Sequence, residues 1–135
     1  MTLDPTLVAF VKQEEGFEPV AKWDFQQWTN GYGTRAHFPQ ERISVATAEQ
    51  RLDIELTASQ AQVDSLGIAM PTGVRKALTD LTFNAGFGWA HSGLGIAVKQ
   101  LDWVAAKQHL LEYDRAGGRV NASLEARRVK EASWF

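Results

Sequence analysis

The chain has 135 residues, 44% of them hydrophobic, with a formal net charge of −2 and no cysteine. That length supports one ordinary domain with a real core and excludes two independent ones. The charge balance excludes a nucleic-acid-binding profile, which needs a basic excess, and the missing thiols exclude disulfides, thiolate nucleophiles and thiolate metal sites. Charge is unevenly spread: residues 1–66 carry five Lys and Arg against ten Asp and Glu, and residues 99–135 carry seven against five. The first stretch, MTLDPTLVAFVKQEE, has neither a basic n-region nor a long apolar run, so it is not expected to act as a signal peptide or membrane anchor.

Asp4-Pro5 predicts a helix start, with Asp as the cap and Pro in the first turn. Leu7, Phe10 and Val11 share one face, and Glu14-Glu15-Gly16 closes the helix with Gly16 as a left-handed stop. Glu15 therefore stands at the negative end of a helix dipole, which disfavours its ionised form. A carboxyl group so placed suits a general acid working near neutral pH. Residues 17–34 predict a small antiparallel sheet, with Trp23, Phe25, Trp28 and Tyr32 alternating with polar residues and turns at Gly31 and Gly33. Asp24 then lies between Trp23 and Phe25 and points the other way. Asp is poor in strands, so it stands there either for a turn or for chemistry.

Residues 35–46 read as loop or short strand. Thr47-Ala48-Glu49-Gln50 has the form of a capping box, opening a long helix through Leu52, Leu56 and Val63 to about Gly67. Pro71 opens the next helix, in which Val74, Ala77, Leu78 and Leu81 keep core spacing until Asn84-Ala85-Gly86. A Gly-rich loop with Trp89, His91 and Ser92 runs into a short helix at 92–100. Asp102 caps a helix through about Tyr113, Gly117-Gly118 breaks it, and Leu124–Trp134 forms the last helix, with Leu124, Val129 and Ala132 facing in. Arg127 and Arg128 are adjacent and cannot share a face. One is expected to anchor the last helix through an ion pair with Glu125 or an acid elsewhere, the other to meet substrate. Among the tryptophans, Trp28 and Trp89 are expected to be exposed, Trp103 and Trp134 to fill the core. His37, His91 and His109 lack ligand spacing, so no metal is expected.

Several blocks resemble a known family. Glu15-Gly16-Phe17, Asp24, Thr29 and Gly31-Tyr32-Gly33-Thr34 are similar to the catalytic motif of the phage-type lysozymes (endolysins, muramidases of glycoside hydrolase family 24). Thr82-Phe83-Asn84-Ala85-Gly86 resembles the family's F-N-x-G block, and Gly117-Gly118 with Leu124 to Glu131 resembles its closing block. Two departures stand out: four residues separate Asp24 from Thr29 where five are usual, and Thr34 replaces a frequent His.

The resemblance implies an α+β, mainly α, lysozyme-like domain over residues 1–135. Its small antiparallel β lobe and helical lobe would be joined by a long helix, with the cleft between them. It implies cleavage of the β-1,4 bond between N-acetylmuramic acid and N-acetylglucosamine in peptidoglycan glycan strands. Glycoside hydrolysis uses a carboxyl pair flanking the scissile bond. Here Glu15 would be the general acid, and Asp24 with Thr29 would position the attacking water. Inversion is implied, and carboxyl groups about 6.5–9.5 Å apart would accompany it. Tyr32, Asn84, Tyr113 and Arg128 are implied substrate contacts, with Asp114 beside Tyr113. No cofactor, no nucleic acid and no membrane insertion are implied. The expectation is a monomer made in the host cytoplasm and acting on the wall in the periplasm, through a separate holin or as part of a virion. Two alternatives stay open: a lytic transglycosylase, which needs Glu15 but neither Asp24 nor Thr29, and a non-catalytic wall-binding or tail-structural module.

Overall fold

A computed structural model describes residues 2–24 and 26–135. Phe25, expected to alternate with Trp23 on the sheet, lies outside the described residues. The chain forms two compact units, Met1–Ala58 and Ser59–Phe135, and the boundary falls within one long helix.

The first unit begins with α1 (Pro5–Glu15). The Asp4 carboxylate accepts the Thr6 N–H at 2.8 Å, satisfying a donor that the first turn leaves orphaned. Leu7 and Val11 are buried and Phe10 is half-buried. Gly16 ends the helix at φ +68° and ψ 158°, its N–H reaching the Lys12 carbonyl at 2.9 Å. This is not the left-handed helical conformation expected but an extended one essentially reserved for glycine. It turns the chain directly from the helix into a strand.

That strand is β1 (Glu18–Trp23), followed by β2 (Trp28–Gly31) and β3 (Thr34–Arg35), all antiparallel and in the order β1-β2-β3. The Trp23–Trp28 pair is the last of the first hairpin. Asp24 is thus just past the strand, not on it.

The long helix α2 (Val45–Asp64) starts earlier than expected. Ser44, not Thr47, supplies the cap: its hydroxyl accepts the Thr47 N–H at 3.2 Å. Ala48, Leu52 and Leu56 are buried along it. Arg51, on the same helix, forks onto the buried Glu41 at 2.7 and 2.8 Å. Glu41 also accepts from the Asn30 amide at 3.1 Å and from the His37 main-chain N–H at 3.1 Å.

In the second unit, α3 (Thr72–Ala85) follows Pro71 as expected, and Val74, Ala77, Leu78 and Leu81 are each no more than 1% exposed. Val74, Leu78 and Leu81 pack with Val63, Leu94, Val98, Ala106 and Leu110. Trp89 belongs to this core too, at 2% exposure, which corrects the expectation that it is exposed. Its ring nitrogen donates to the Thr82 hydroxyl at 3.0 Å, and that hydroxyl donates to the Leu78 carbonyl at 2.7 Å. A hydrogen-bond partner inside the core is what lets a tryptophan be buried whole. Trp103 packs against the core only partly buried, and Trp134, also half-buried, takes the Lys76 ammonium over its ring at 4.1 Å.

A 3₁₀ turn at Gly88–His91 leads into α4 (Gly93–Lys99). Helix α5 (Trp103–Leu110) is capped by Asp102 and stops short of Tyr113. Gly117-Gly118 does more than break a helix: it is the turn of a hairpin formed by β4 (Arg115–Ala116) and β5 (Arg119–Val120). The last helix, α6 (Ala122–Ala132), is capped by Asn121. Val129 on it is 56% exposed, against expectation, while Arg127, Arg128 and Glu131 are buried. Arg127 grips Asp80 of α3 at 2.8 and 2.9 Å, and Arg128 grips Glu131 at 2.8 and 2.9 Å. The anchoring acid is therefore Asp80 rather than the exposed Glu125. No helix among the described residues is long and apolar enough to cross a membrane.

These ion pairs set how stability responds to acid. The Arg51 hydrogen bonds hold the Glu41 carboxyl well below its ordinary value of 4.5, against the opposing effect of burial. The Arg75 hydrogen bonds do the same for Asp64, below 3.8. Both acids are depressed in the folded chain, so on acidification the unfolded chain takes up these protons first. Their contribution is complete above about pH 4.5 and is lost as pH falls. Thermal melts across this range should show a melting temperature that is level with respect to these groups down to that point and falls below it. In Arg51→Met the fall should be shallower.

Candidate active site

The proposed catalytic residues all lie in the first unit. Glu15 is the final residue of α1 and half-buried. Its carboxyl group lies against Gly33, where β2 turns into β3. A methyl group built on Gly33 would stand 2.9 Å from the Glu15 carboxyl carbon, inside any real contact distance. Gly33 also has φ +79°, so its backbone favours glycine, and any larger residue would push the Glu15 carboxyl aside.

Asp24 occupies the exposed tip of the first hairpin. One carboxylate oxygen, Oδ1, accepts the main-chain N–H groups of Gln26 at 2.9 Å and Gln27 at 3.0 Å. Its own N–H reaches the Gln27 carbonyl at 2.9 Å. This is an Asx turn, so the structural reason for an Asp at this point is present. Thr29 sits half-buried on β2, in register with Lys22 and Arg35. Thr29 keeps its pairing with Lys22 across the hairpin, and the register of β1 against β2 shifts only beyond it, between Lys22 and Glu18. Thr34 is fully buried, and its hydroxyl makes a long 3.5 Å bond to the Asn30 carbonyl. Tyr32 is 9% exposed. Its ring packs tilted on Phe17 at 5.7 Å, with the Lys12 ammonium 5.4 Å from its centre.

Of the remaining site residues, all in the second unit, Asn84 is half-buried at the end of α3. Its buried Oδ1 takes no hydrogen bond among the described residues. Tyr113 is half-buried, and its hydroxyl is 2.8 Å from that of Ser92. Arg128 is 1% exposed and committed to Glu131. His37 and His109 pair with Arg51 and Glu112 respectively.

The family model described as phage lysozyme matches residues 12–131. The chain belongs to the phage lysozyme family. Solved structures agree on the fold. The muramidase domain of SpmX from Asticaccaulis excentricus superposes with a TM-score of 0.88 at 23% identity, covering 99% of this chain and 97% of that one. The endolysin of Escherichia coli O157:H7 phage FAHEc1 gives 0.81 at 24% identity, with 99% and 92% covered. A P22 lysozyme gives 0.79 at 23% identity, with 100% and 98% covered. No curated protein sequence matches the chain. The architecture is therefore lysozyme-like, mainly helical with small antiparallel sheets.

Within this member of the phage lysozyme family, sequence reasoning saw Gly33 only as a turn. Its second task, leaving room for the Glu15 carboxyl, depends on a contact between residues 18 positions apart. Gly33→Ala should therefore harm activity more than stability. The positive φ costs about 1–2 kcal/mol for an L-residue. Displacing Glu15 by a fraction of an ångström to about 1 Å should lower kcat by about 10²-fold. Paired melting curves and turbidity assays on bacterial walls measure the two effects separately.

Proposed function

We propose that the chain is a peptidoglycan hydrolase that cleaves the β-1,4 bond between N-acetylmuramic acid and N-acetylglucosamine. Glu15 is the general acid, and Asp24 with Thr29 directs the attacking water. The observation that carries this reading is the seating of Glu15. A carboxyl group stands at a helix end against a glycine whose positive φ an L-residue rarely adopts, within the E-G-F…D…T…G-Y-G order of the family. Asn84 and Tyr113 are proposed substrate contacts on the helical unit, and Tyr32 is a proposed contact on the β-sheet unit. The substrate is the glycan strand. Exit from the cytoplasm through a separate holin, action in the periplasm and a monomeric state complete the proposal.

The engagement of Asp24 in its own turn favours one second reading, a lytic transglycosylase in which the sugar's 6-hydroxyl attacks in place of water. Mass spectrometry of digested peptidoglycan separates the two. Reducing muramic ends support hydrolysis, and 1,6-anhydro ends support transglycosylation. The absence of any fragment from a folded protein would remove both and leave a binding module.

A further inference from the structure

We propose that a groove on the β-sheet unit, lined by Trp23, Gln27, Trp28, Arg35, His37 and Phe38, is a subsite for a neutral amino sugar of the glycan strand, separate from the three catalytic residues. The proposal rests on the hydrolase reading and extends it.

The groove has a volume of about 260 Å³, the scale of one acetamido sugar. Two of its large aromatic side chains face water: Trp23 is 59% exposed and Phe38 is 58% exposed. Neither contributes much burial to folding, and apolar surface gathered in a concavity marks a place where something binds. Trp23 is also held still. It pairs across the hairpin with Trp28, and the two rings meet edge-on with centroids 5.9 Å apart at 67°.

The opposite rim is fixed from below by the buried ion pair. Glu41 accepts the His37 main-chain N–H, and Arg51 lies 3.2 Å from the His37 ring. Next to it, the Ala36 N–H donates to the Trp28 carbonyl at 2.9 Å. The groove is therefore formed before anything enters it, so little ordering is left for the ligand to drive.

The lining chemistry selects the ligand. A pyranose has an apolar C–H face, which lies on an indole or phenyl ring, and a polar edge of hydroxyl and acetamido groups. Gln27, Arg35 and His37 supply amide, guanidinium and imidazole partners for that edge. An anionic membrane surface fits poorly, because such surfaces recruit clusters of several Lys and Arg. Among the described residues, Arg35 is the one Lys or Arg lining the groove, within a stretch where residues 1–66 hold ten acids against five bases.

The test uses ¹⁵N-labelled Glu15→Gln protein, which binds without cleaving, titrated with the tetramer of N-acetylglucosamine. The indole N–H signals of Trp23 and Trp28 should shift saturably. Combining Trp23→Ala with Phe38→Ala should weaken that binding by about tenfold while shifts at the Gly33 amide persist. Both side chains are exposed, so the variant should fold, and its melting curve checks this. If the Gly33 amide moves and the indole signals do not, the groove is no sugar site and the hydrolase reading stands. If neither moves, both fail. If the indole signals respond to phosphatidylglycerol vesicles and not to the sugar, the proposal is overturned in favour of a membrane contact.

Discussion

Glu15→Gln should lose nearly all lytic activity while keeping its fold. The amide preserves the shape that fits against Gly33 but has no proton to give the leaving oxygen, and a positioned general acid contributes about 10²–10⁴-fold to rate. Stability should hold, because the amide keeps the size of the side chain and its seat at the end of α1. The measurement is initial lysis rate beside thermal melting for the two proteins. A well-folded variant with wild-type lysis would end the assignment of Glu15 as the acid, whatever the family resemblance.

Asp80→Asn should be the most destabilising of the conservative substitutions. Asp80 is fully buried and receives both arms of Arg127, which is itself 5% exposed. Removing one partner of a buried ion pair leaves an uncompensated charge and costs about 3–5 kcal/mol. That is a large part of an ordinary domain's stability of about 5–15 kcal/mol, and a fall of about 10 °C or more in melting temperature is expected.

Glu131, close by on α6, should behave differently. Burial first, and then a hydrogen bond to the Asp80 carboxylate, push it up to about 10, although both guanidinium groups pull the other way. A Glu131 proton shared toward Asp80 lets that site keep one full negative charge for Arg127: burial, the largest influence on Asp80, raises it, but the hydrogen bonds from Arg127 and Glu131 together with the two guanidinium charges leave it lowered. Glu131→Gln should then cost far less than Asp80→Asn at neutral pH. With its folded value raised, the Glu131 contribution is complete below its ordinary 4.5 and declines as pH rises toward 10. Equal losses in the two variants would show Glu131 to be ionised and paired with Arg128.

Much of this architecture is legible in the sequence because the signals are local. Asp4-Pro5, the Val74-to-Leu81 spacing and the terminating Gly16 and Gly86 each act within one or two helical turns, and each lies where it was expected. The misreadings share a cause. Periodicity arguments assume that apolar residues face in and charges face out, and α6 inverts this: Arg127, Arg128 and Glu131 are inside and Val129 is outside. Only the position of Asp80, 47 residues from Arg127, makes that arrangement favourable. Trp89 fails the same way, since its buried indole depends on the Thr82 hydroxyl. The cap at Ser44 and the Gly117-Gly118 hairpin were readable, the first from serine's preference for caps and the second from a two-residue glycine turn. At the site, the chain order of Glu15, Asp24 and Thr29 is visible in the sequence, but the packing of Glu15 on Gly33 is not.

The tip of the first hairpin also bears on how this family can vary in length. Inside β2, one added residue would turn Thr29 to the other face of the sheet, since strand side chains alternate. Between Trp23 and Trp28 the same addition would leave the ladder in register and only enlarge the loop beyond the Asp24 turn. A change in the distance from aspartate to threonine made at the hairpin tip would therefore leave the threonine's facing unchanged, whereas the same change inside β2 would not.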